Sequence, residues 1–294
     1  MLVPDEVRKC VAFVGADIGS GPRPVGTCSF LGVGDETWHW TYAVTAAHVI
    51  EGIRDAPGSD GNVYLRVNQR TGGAIWAVSL VDRWLMHPTD AAVDVAVLSL
   101  GSLAEFDHLA FLMTGSLTPE AIAIQGIGVG DEVFLTGLFV NHFGTDRNIP
   151  IVRMGAIAAM PEEPVRTQRG PMEAYLIEAR SIGGLSGSPV FVQLGIVRFI
   201  DGQVKHAQTA HGPYYLLGVM HGHWQVAAQA LDGLDPDALR EEMVNMGIGI
   251  VVPAAKIMEV LNQPTLKDPR DQELRMRAQA TLLTPDADPT NATA

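Results

Sequence analysis

Short apolar runs separated by glycine, proline and aspartate turns recur along most of the chain. Residues 26–31 alternate between apolar and small or polar side chains, which is typical of a half-buried β-strand. A polar stretch at 51–62 predicts a loop. In the first 100 residues the runs that predict strands are 8–15, 25–33, 37–45, 63–67, 74–81 and 93–100.

The second half of the chain repeats this pattern after a less regular connection at 101–127. Within the connection, 102–113 and 118–124 predict short helical turns, the second of them begun by Thr118 and Pro119. Asp201 and Gly202 predict a hairpin turn. The runs that predict strands here are 133–139, 149–160, 173–180, 188–194, 196–200, 214–220 and 249–252, followed by a helix at 253–261.

The composition supports an all-β fold rather than a helical bundle. The 31 glycines and 18 prolines among 294 residues provide turns throughout the chain. With 47% hydrophobic residues, the chain is long enough to bury a substantial core, or two cores of ordinary domain size.

The net charge of −13 argues against a nucleic-acid partner, because phosphate binding needs clustered Lys and Arg. No apolar run approaches the about 18 residues that span a bilayer, so we expect no membrane-spanning segment.

The segment 182–191 holds a serine, Ser186, between glycines at the start of an apolar run. Taken alone, it fits a turn that leads into a strand. It also fits a nucleophile, because Gly184 can adopt the positive φ that aims the amides of Gly184 and Ser186 at one point, where they would form an oxyanion hole. A serine nucleophile needs a neighbouring base.

A histidine and an aspartate upstream make the catalytic interpretation stronger. His48 ends an apolar run and Asp94 begins another, although either residue alone is more often structural. Asp90 is a poorer candidate than Asp94, since no apolar strand follows it directly. The order histidine, aspartate, serine resembles that of the chymotrypsin-like serine proteases.

Three motifs carry this resemblance over roughly residues 8–262. They are Thr-Ala-Ala-His at 45–48, Asp-Val-Ala-Val-Leu at 94–98 and Gly-Leu-Ser-Gly-Ser-Pro at 184–189. The serine segment is most similar to glutamyl endopeptidases, and Gly-Ile-Gly-Ile-Val-Val-Pro at 247–253 is similar to bacterial HtrA proteases.

The resemblance implies a fold and a domain organisation. The fold is all-β, with two six-stranded antiparallel β-barrels and a C-terminal helix. Residues 1–100 would form the barrel that carries His48 and Asp94, 101–127 the connection, and 128–262 the barrel that carries Ser186. We expect a helical insertion at about 222–247, and a short helix with a flexible tail at 263–294.

The resemblance also implies roles. His48 would be the general base, Asp94 its orienting carboxylate and Ser186 the nucleophile of an endopeptidase that works through an acyl-enzyme and needs no cofactor or metal. The alternative is a latent or inactive module with a protease fold that binds peptides or proteins. The pattern Ser-x-Ser, with histidine first in the chain, disfavours an α/β-hydrolase esterase.

The resemblance implies that Arg180 and Ser181 lie near the floor of the primary specificity pocket. Met220, His221 and Gly222 are also expected to contact substrate. Arg180 and His221 favour an acidic side chain before the scissile bond. A third ligand suitably spaced from His221 and His223 is missing from the sequence, so we predict no metal site there. A regulatory partner could dock on the 222–247 insertion or on the C-terminal tail.

The cysteine content points to a reducing compartment. Secreted members of the family usually carry several disulfides, whereas this chain has only Cys10 and Cys28. The two could pair if adjacent strands bring them together, but we expect buried free thiols. The N-terminal residues do not resemble a secretion signal, and we therefore expect a cytoplasmic protein.

Overall fold

The computed structural model describes residues 3–179, 184–195, 197–200, 202–206, 212–227 and 243–283. The chain divides into a large unit, Met1–Val260, and a small unit, Leu261–Ala294. All of the β-strands described below belong to the large unit.

The first half of the large unit is one eight-stranded sheet that curls around its own core. Seven strands follow the order β5-β4-β1-β2-β3-β7-β6, and β8 pairs in parallel with β2. The strands are β1 Val11–Ala16, β2 Arg23–Gly34, β3 His39–Thr45, β4 Asn62–Asn68, β5 Ala74–Leu80, β6 Leu85–Met86, β7 Ala96–Ser99 and β8 Phe111–Leu112.

The second half is a closed barrel with the strand order β10-β13-β18-β17-β14-β9. Two hairpins, β11–β12 and β15–β16, form separate small sheets. The barrel strands are β9 Glu132–Gly137, β10 Ile151–Ala159, β13 Tyr175–Glu178, β14 Pro189–Gln193, β17 Tyr214–Ala227 and β18 Met243–Pro253. The hairpins are β11 Val165–Thr167 with β12 Gly170–Met172, and β15 Val197–Ile200 with β16 Gln203–His206.

Four short helices lie before, between and after the strands of the large unit. They are α1 Asp5–Lys9, α2 Ala47–Asp55, α3 Pro119–Gln125 and α4 Ala254–Leu261, which ends at the first residue of the small unit. The start of α3 has a clear local cause: Thr118 Oγ1 accepts a hydrogen bond from the N–H of Ala121 at 3.1 Å, and Pro119 occupies the first helical position. In the small unit, α5 spans Pro264–Leu283.

Each half of the large unit buries its own apolar core. Side chains of the first sheet enclose one cluster that includes Phe30, Ile50 and Leu65, whereas the barrel encloses a second that includes Leu135, Ile177 and Val251. Burial of these side chains is the main force that holds each half together.

The all-β class and the two-barrel architecture predicted from the sequence are confirmed. Within the first half, the eight strands form a curled sheet whose end strands β5 and β6 do not pair with each other in the described part of the chain.

The stretch 51–62 is not wholly a loop, because α2 continues through Asp55 with Val49, Ile50 and Ile53 buried. Residues 102–113 were predicted to form a short helical turn but contain β8, since Phe111 and Leu112 pair with β2. Residues 197–200 pair with β16 in the predicted hairpin instead of joining the barrel.

The prediction of a helical insertion at 222–247 is wrong at both ends of this range. Residues 222–227 continue β17 and residues 243–247 belong to β18, and Gln225 pairs with Asn245. Extending the two strands satisfies backbone groups that a loop would leave exposed. The centre of the predicted helix, 228–242, lies outside the described residues.

The helix predicted within 263–294 is α5, which begins at Pro264 and continues through Pro269 to Leu283. Its 20 residues make it longer than the short helix expected there. The expected flexible tail after 283 lies outside the described residues. Among the described residues, no helix combines the length and apolarity needed to cross a membrane.

The reactivity of the two cysteines tests how tightly the first half of the large unit is packed. Both are free thiols with no exposed surface, and Cys10 Sγ lies 3.3 Å from the carbonyl oxygen of Val7. Burial raises the pKa of both thiols, that of Cys28 to about 12.

We expect both thiols to resist alkylation by iodoacetamide at pH 8 in the folded chain, because the reactive thiolate is scarce and inaccessible. Mass spectrometry would show modification only at the rate of unfolding, and full modification in guanidinium. Rapid modification of the folded chain would contradict this packing.

Candidate active site

Ser186 lies in a tight turn at 184–188, immediately before β14. The N–H of Ser188 donates to the carbonyl oxygen of Leu185 at 2.9 Å, and the N–H of Gly187 donates to that of Met220 at 2.8 Å. Gly187 has φ +83°, and a Cβ there would lie 2.1 Å from the carbonyl oxygen of Thr27. Only glycine fits this position, which explains the residue that follows the serine.

Thr27, a fully buried residue of β2, holds the turn from the opposite half of the molecule. Its N–H donates to the carbonyl oxygen of Ser186 at 3.0 Å, and its Oγ1 donates to that of Gly184 at 2.9 Å. The same Oγ1 accepts from the N–H of Leu138 at 2.8 Å. These bonds fix the serine turn of the barrel against the first sheet on both sides of Ser186.

His48 and Asp94 meet at the edge of the first sheet. His48 is the second residue of α2, and Asp94 lies two residues before β7. The backbone N–H of His48 donates to Asp94 Oδ1 at 2.8 Å, and its ring Nδ1 lies 2.7 Å from Asp94 Oδ2. Two contacts to one carboxylate fix both the position of the imidazole and its rotation.

Ser186 completes a hydrogen-bonded chain with these two residues. Its Oγ lies 3.0 Å from His48 Nε2 and 3.2 Å from the carbonyl oxygen of His221. The hydroxyl has one proton, so it donates either to the imidazole or to this carbonyl oxygen. The His48 side chain is 38% exposed, so the hydrogen-bonded series of Ser186, His48 and Asp94 is open to solvent on one side.

The ring of His221 provides a second donor to the same carboxylate. Its Nδ1 lies 2.5 Å from Asp94 Oδ2, and its ring is nearly perpendicular to that of His48. Burial by itself would raise the pKa of the fully enclosed Asp94, but the hydrogen bonds from His221 and His48 outweigh burial and hold that pKa well below its usual range. Asp94 is therefore a carboxylate anion, and both imidazoles donate to it through Nδ1–H.

His48, Asp94 and His221 could also be considered as metal ligands, since one potential donor atom from each lies within 4.8 Å of the others. The nitrogen-to-oxygen separations of 2.5 and 2.7 Å are hydrogen-bond distances. Two ligands of a tetrahedral zinc ion would stand about 3.3 Å apart, given zinc-to-ligand distances near 2.0–2.1 Å. The arrangement is therefore a hydrogen-bonded cluster.

The residues predicted to contact substrate lie in different environments. Arg180 and Ser181 are outside the described residues. The Met220 side chain is fully buried in the barrel core, and Gly222 is partly exposed on β17. The His221 ring lies beside Asp94, with its Nδ1 2.5 Å from Asp94 Oδ2.

Two contacts of this site have no signal in the sequence pattern. Thr27 is an ordinary polar residue of an alternating strand, and the His221 side chain was assigned to substrate instead of to Asp94. Both contacts join residues more than 120 positions apart, namely 27 with 184 and 94 with 221. Only the packing of one half against the other brings these residues together.

We expect Thr27→Val to lower the free energy of unfolding. The substitution removes the partner of the partly buried Gly184 carbonyl and of the buried Leu138 N–H, and an unsatisfied buried group costs about 1–3 kcal/mol. Thr27→Ser keeps the hydroxyl and should lose only about 1 kcal/mol for the missing methyl. Urea denaturation compares the two, and equal stabilities would show that the hydroxyl contributes nothing.

No protein-family model matches the chain, and no curated protein matches it in sequence. Solved structures do match it. The apo protease domain of MamO from Magnetospirillum magneticum aligns with a TM-score of 0.50 at 18% identity, over 88% of this chain and 98% of that chain.

Two further solved structures are similar over most of their length. Deg5 aligns with a TM-score of 0.48 at 14% identity, over 86% of this chain and 88% of its own. A serine-to-alanine mutant of Rv3671c from M. tuberculosis, in its inactive form, aligns with a TM-score of 0.42 at 17% identity, over 87% of this chain and 88% of that chain. The strand topology and the structural similarity to the MamO domain together show that this chain has the trypsin-like serine protease fold.

Proposed function

We propose that the chain is a serine endopeptidase that hydrolyses peptide bonds through an acyl-enzyme. One observation supports this most strongly: Ser186 Oγ lies 3.0 Å from His48 Nε2, while Nδ1 of the same ring lies 2.7 Å from Asp94 Oδ2. A hydroxyl, an imidazole and a carboxylate in this order form the arrangement that activates a serine nucleophile.

Acylation begins when Ser186 Oγ attacks the carbonyl carbon of a bound peptide. The serine proton moves to Nε2 of His48 as the carbon–oxygen bond forms. The tetrahedral intermediate then collapses, the carbon–nitrogen bond breaks, and His48 returns the proton to the leaving amine. An ester between Ser186 and the acyl half of the substrate remains.

Water completes the cycle by the same steps. His48 takes a proton from the attacking water, and the ester oxygen of Ser186 leaves with a proton returned by the imidazolium. The carboxylic acid product departs and the serine is restored. Over acylation and deacylation together, the bonds formed balance the bonds broken. The reaction consumes one water and needs no cofactor.

The negative charge of the tetrahedral intermediate is assigned to the amides of Gly184 and Ser186. Gly184 has φ +96°, and Thr27 bonds both carbonyl groups of this short segment. Amides fixed in advance stabilise an oxyanion without reorganising during the reaction.

Asp94 has two roles in this proposal. Its carboxylate keeps the Nδ1–H tautomer of His48, so that the Nε2 lone pair faces the serine, and its charge stabilises the imidazolium that forms. His221 supports the first role by donating to the same oxygen, while its backbone carbonyl contacts Ser186 Oγ. The substrate class is peptide or protein, and a preference for an acidic side chain before the scissile bond would depend on Arg180 and His221.

The first test is covalent labelling by a fluorophosphonate probe. We expect the wild-type chain to react, and Ser186→Ala and His48→Ala to lose labelling, because one lacks the nucleophile and the other its base. Ser188→Ala is the matched control, since its hydroxyl is buried with no hydrogen-bond partner in the described structure. That variant should label like the wild type. A folded wild type that does not label would favour the alternative, a binding module with a protease fold.

A second test separates Asp94 from its neighbour Asp90. Asp94→Asn should reduce kcat on a peptide substrate by about 10⁴-fold, because an amide stabilises the wrong imidazole tautomer. The Asp90 carboxylate is exposed and accepts the N–H of Ala92 at 2.9 Å, which an asparagine oxygen can also do. Asp90→Asn should therefore keep full activity, and a similar loss in both variants would argue against the assignment.

A further inference from the structure

Arg169 is the feature near the site that the proposed mechanism leaves unexplained. It lies in the two-residue turn between β11 and β12 of the second half. Thr167 Oγ1 accepts the N–H of Arg169 at 3.1 Å and donates to the carbonyl oxygen of Gly170 at 2.8 Å. The hairpin tip is thus fixed by its own hydrogen bonds, which hold the arginine backbone in place.

The Arg169 side chain reaches from the barrel to the first sheet. Its two terminal nitrogens bond to the two carboxylate oxygens of Glu51, one of them at 3.1 Å. Its Nε donates to the carbonyl oxygen of Ala91 at 3.0 Å and lies 3.9 Å from Asp94 Oδ1. The Arg169 side chain is only 17% exposed, and a bidentate pair of this kind is both strong and specific in direction.

The partners of Arg169 belong to the two segments that carry the proposed base and its carboxylate. Glu51 lies three residues after His48 on α2, so the two residues are neighbours on one helical face. Ala91 lies three residues before Asp94 in the loop that leads to β7. One guanidinium therefore contacts the His48 helix and the Asp94 loop together.

We propose that Arg169 is a positioning residue that keeps His48 and Asp94 at hydrogen-bonding distance by joining the segments that carry them. It acts through Glu51 and Ala91 and does not touch the substrate. Its charge also compensates that of the buried Asp94 carboxylate. The catalytic consequence rests on the proposed function, whereas the structural consequence does not.

The test compares Arg169→Met with Arg166→Met, an exposed arginine on the same hairpin. We expect Arg169→Met to reduce kcat by about 10²-fold with little change in KM, because a displaced base slows proton transfer without changing substrate contacts. Arg169→Lys keeps the charge but not the bidentate geometry and should recover part of the loss. Arg166→Met should leave both constants unchanged.

Glu51→Gln provides a second approach that keeps the arginine. If the Arg169–Glu51 pair acts as one link, the double variant Glu51→Gln with Arg169→Met will be no slower than Arg169→Met alone. Additive losses would show that the two residues act independently, and would overturn the proposal. Urea denaturation of each variant establishes that the chain is folded under the assay conditions.

A readout independent of activity is the low-field proton NMR signal of the His48 Nδ1–H, observed with isotope-labelled histidine and assigned by comparison with His221→Asn. We expect this signal to shift and broaden in Arg169→Met but not in Arg166→Met. Loss of kcat with an unchanged signal, or a changed signal with unchanged kcat, overturns the proposal. If the wild type does not react with the fluorophosphonate probe, the proposed function fails, and the NMR comparison alone decides whether Arg169 positions His48.

Discussion

The site depends on how the serine turn of the barrel meets the first sheet, and Thr27 makes that contact. Its N–H and Oγ1 bond to the carbonyl oxygens of Ser186 and Gly184, at 3.0 and 2.9 Å. Thr27 itself is fully buried, so a shift of either half would leave its hydroxyl without partners. The separate apolar cores stabilise each half, and these polar contacts join the serine turn of one half to the first sheet of the other.

The same principle of polar contacts between the halves applies to the buried carboxylate. Asp94 has no exposed surface, so its charge requires donors, and His48 supplies two of them from its own half. The other half supplies His221, with Arg169 nearby. A carboxylate with this many partners has little freedom to rotate, and the orientation of His48 follows from it. The hydrogen bonds that stabilise the charge of Asp94 therefore also align His48, the proposed base.

The short apolar runs of the sequence predicted the all-β class, and the order and motifs that resemble the chymotrypsin-like serine proteases selected His48, Asp94 and Ser186. The sequence was insufficient for contacts that depend on packing between distant segments. Nothing in the pattern around Arg169 indicates a contact with Glu51, and the His221 ring was assigned to substrate. The helix expected at 222–247 was wrong where Gln225 pairs with Asn245, since long-range strand pairing overrode a local helix signal.

The most direct test of this account is a crystal structure of the chain after reaction with a fluorophosphonate inhibitor. The account predicts phosphorus bonded to Ser186 Oγ, with one phosphoryl oxygen at hydrogen-bonding distance from the amides of Gly184 and Ser186, and His48 still bonded to Asp94. An adduct on a different residue, or a phosphoryl oxygen that points away from both amides, would contradict it.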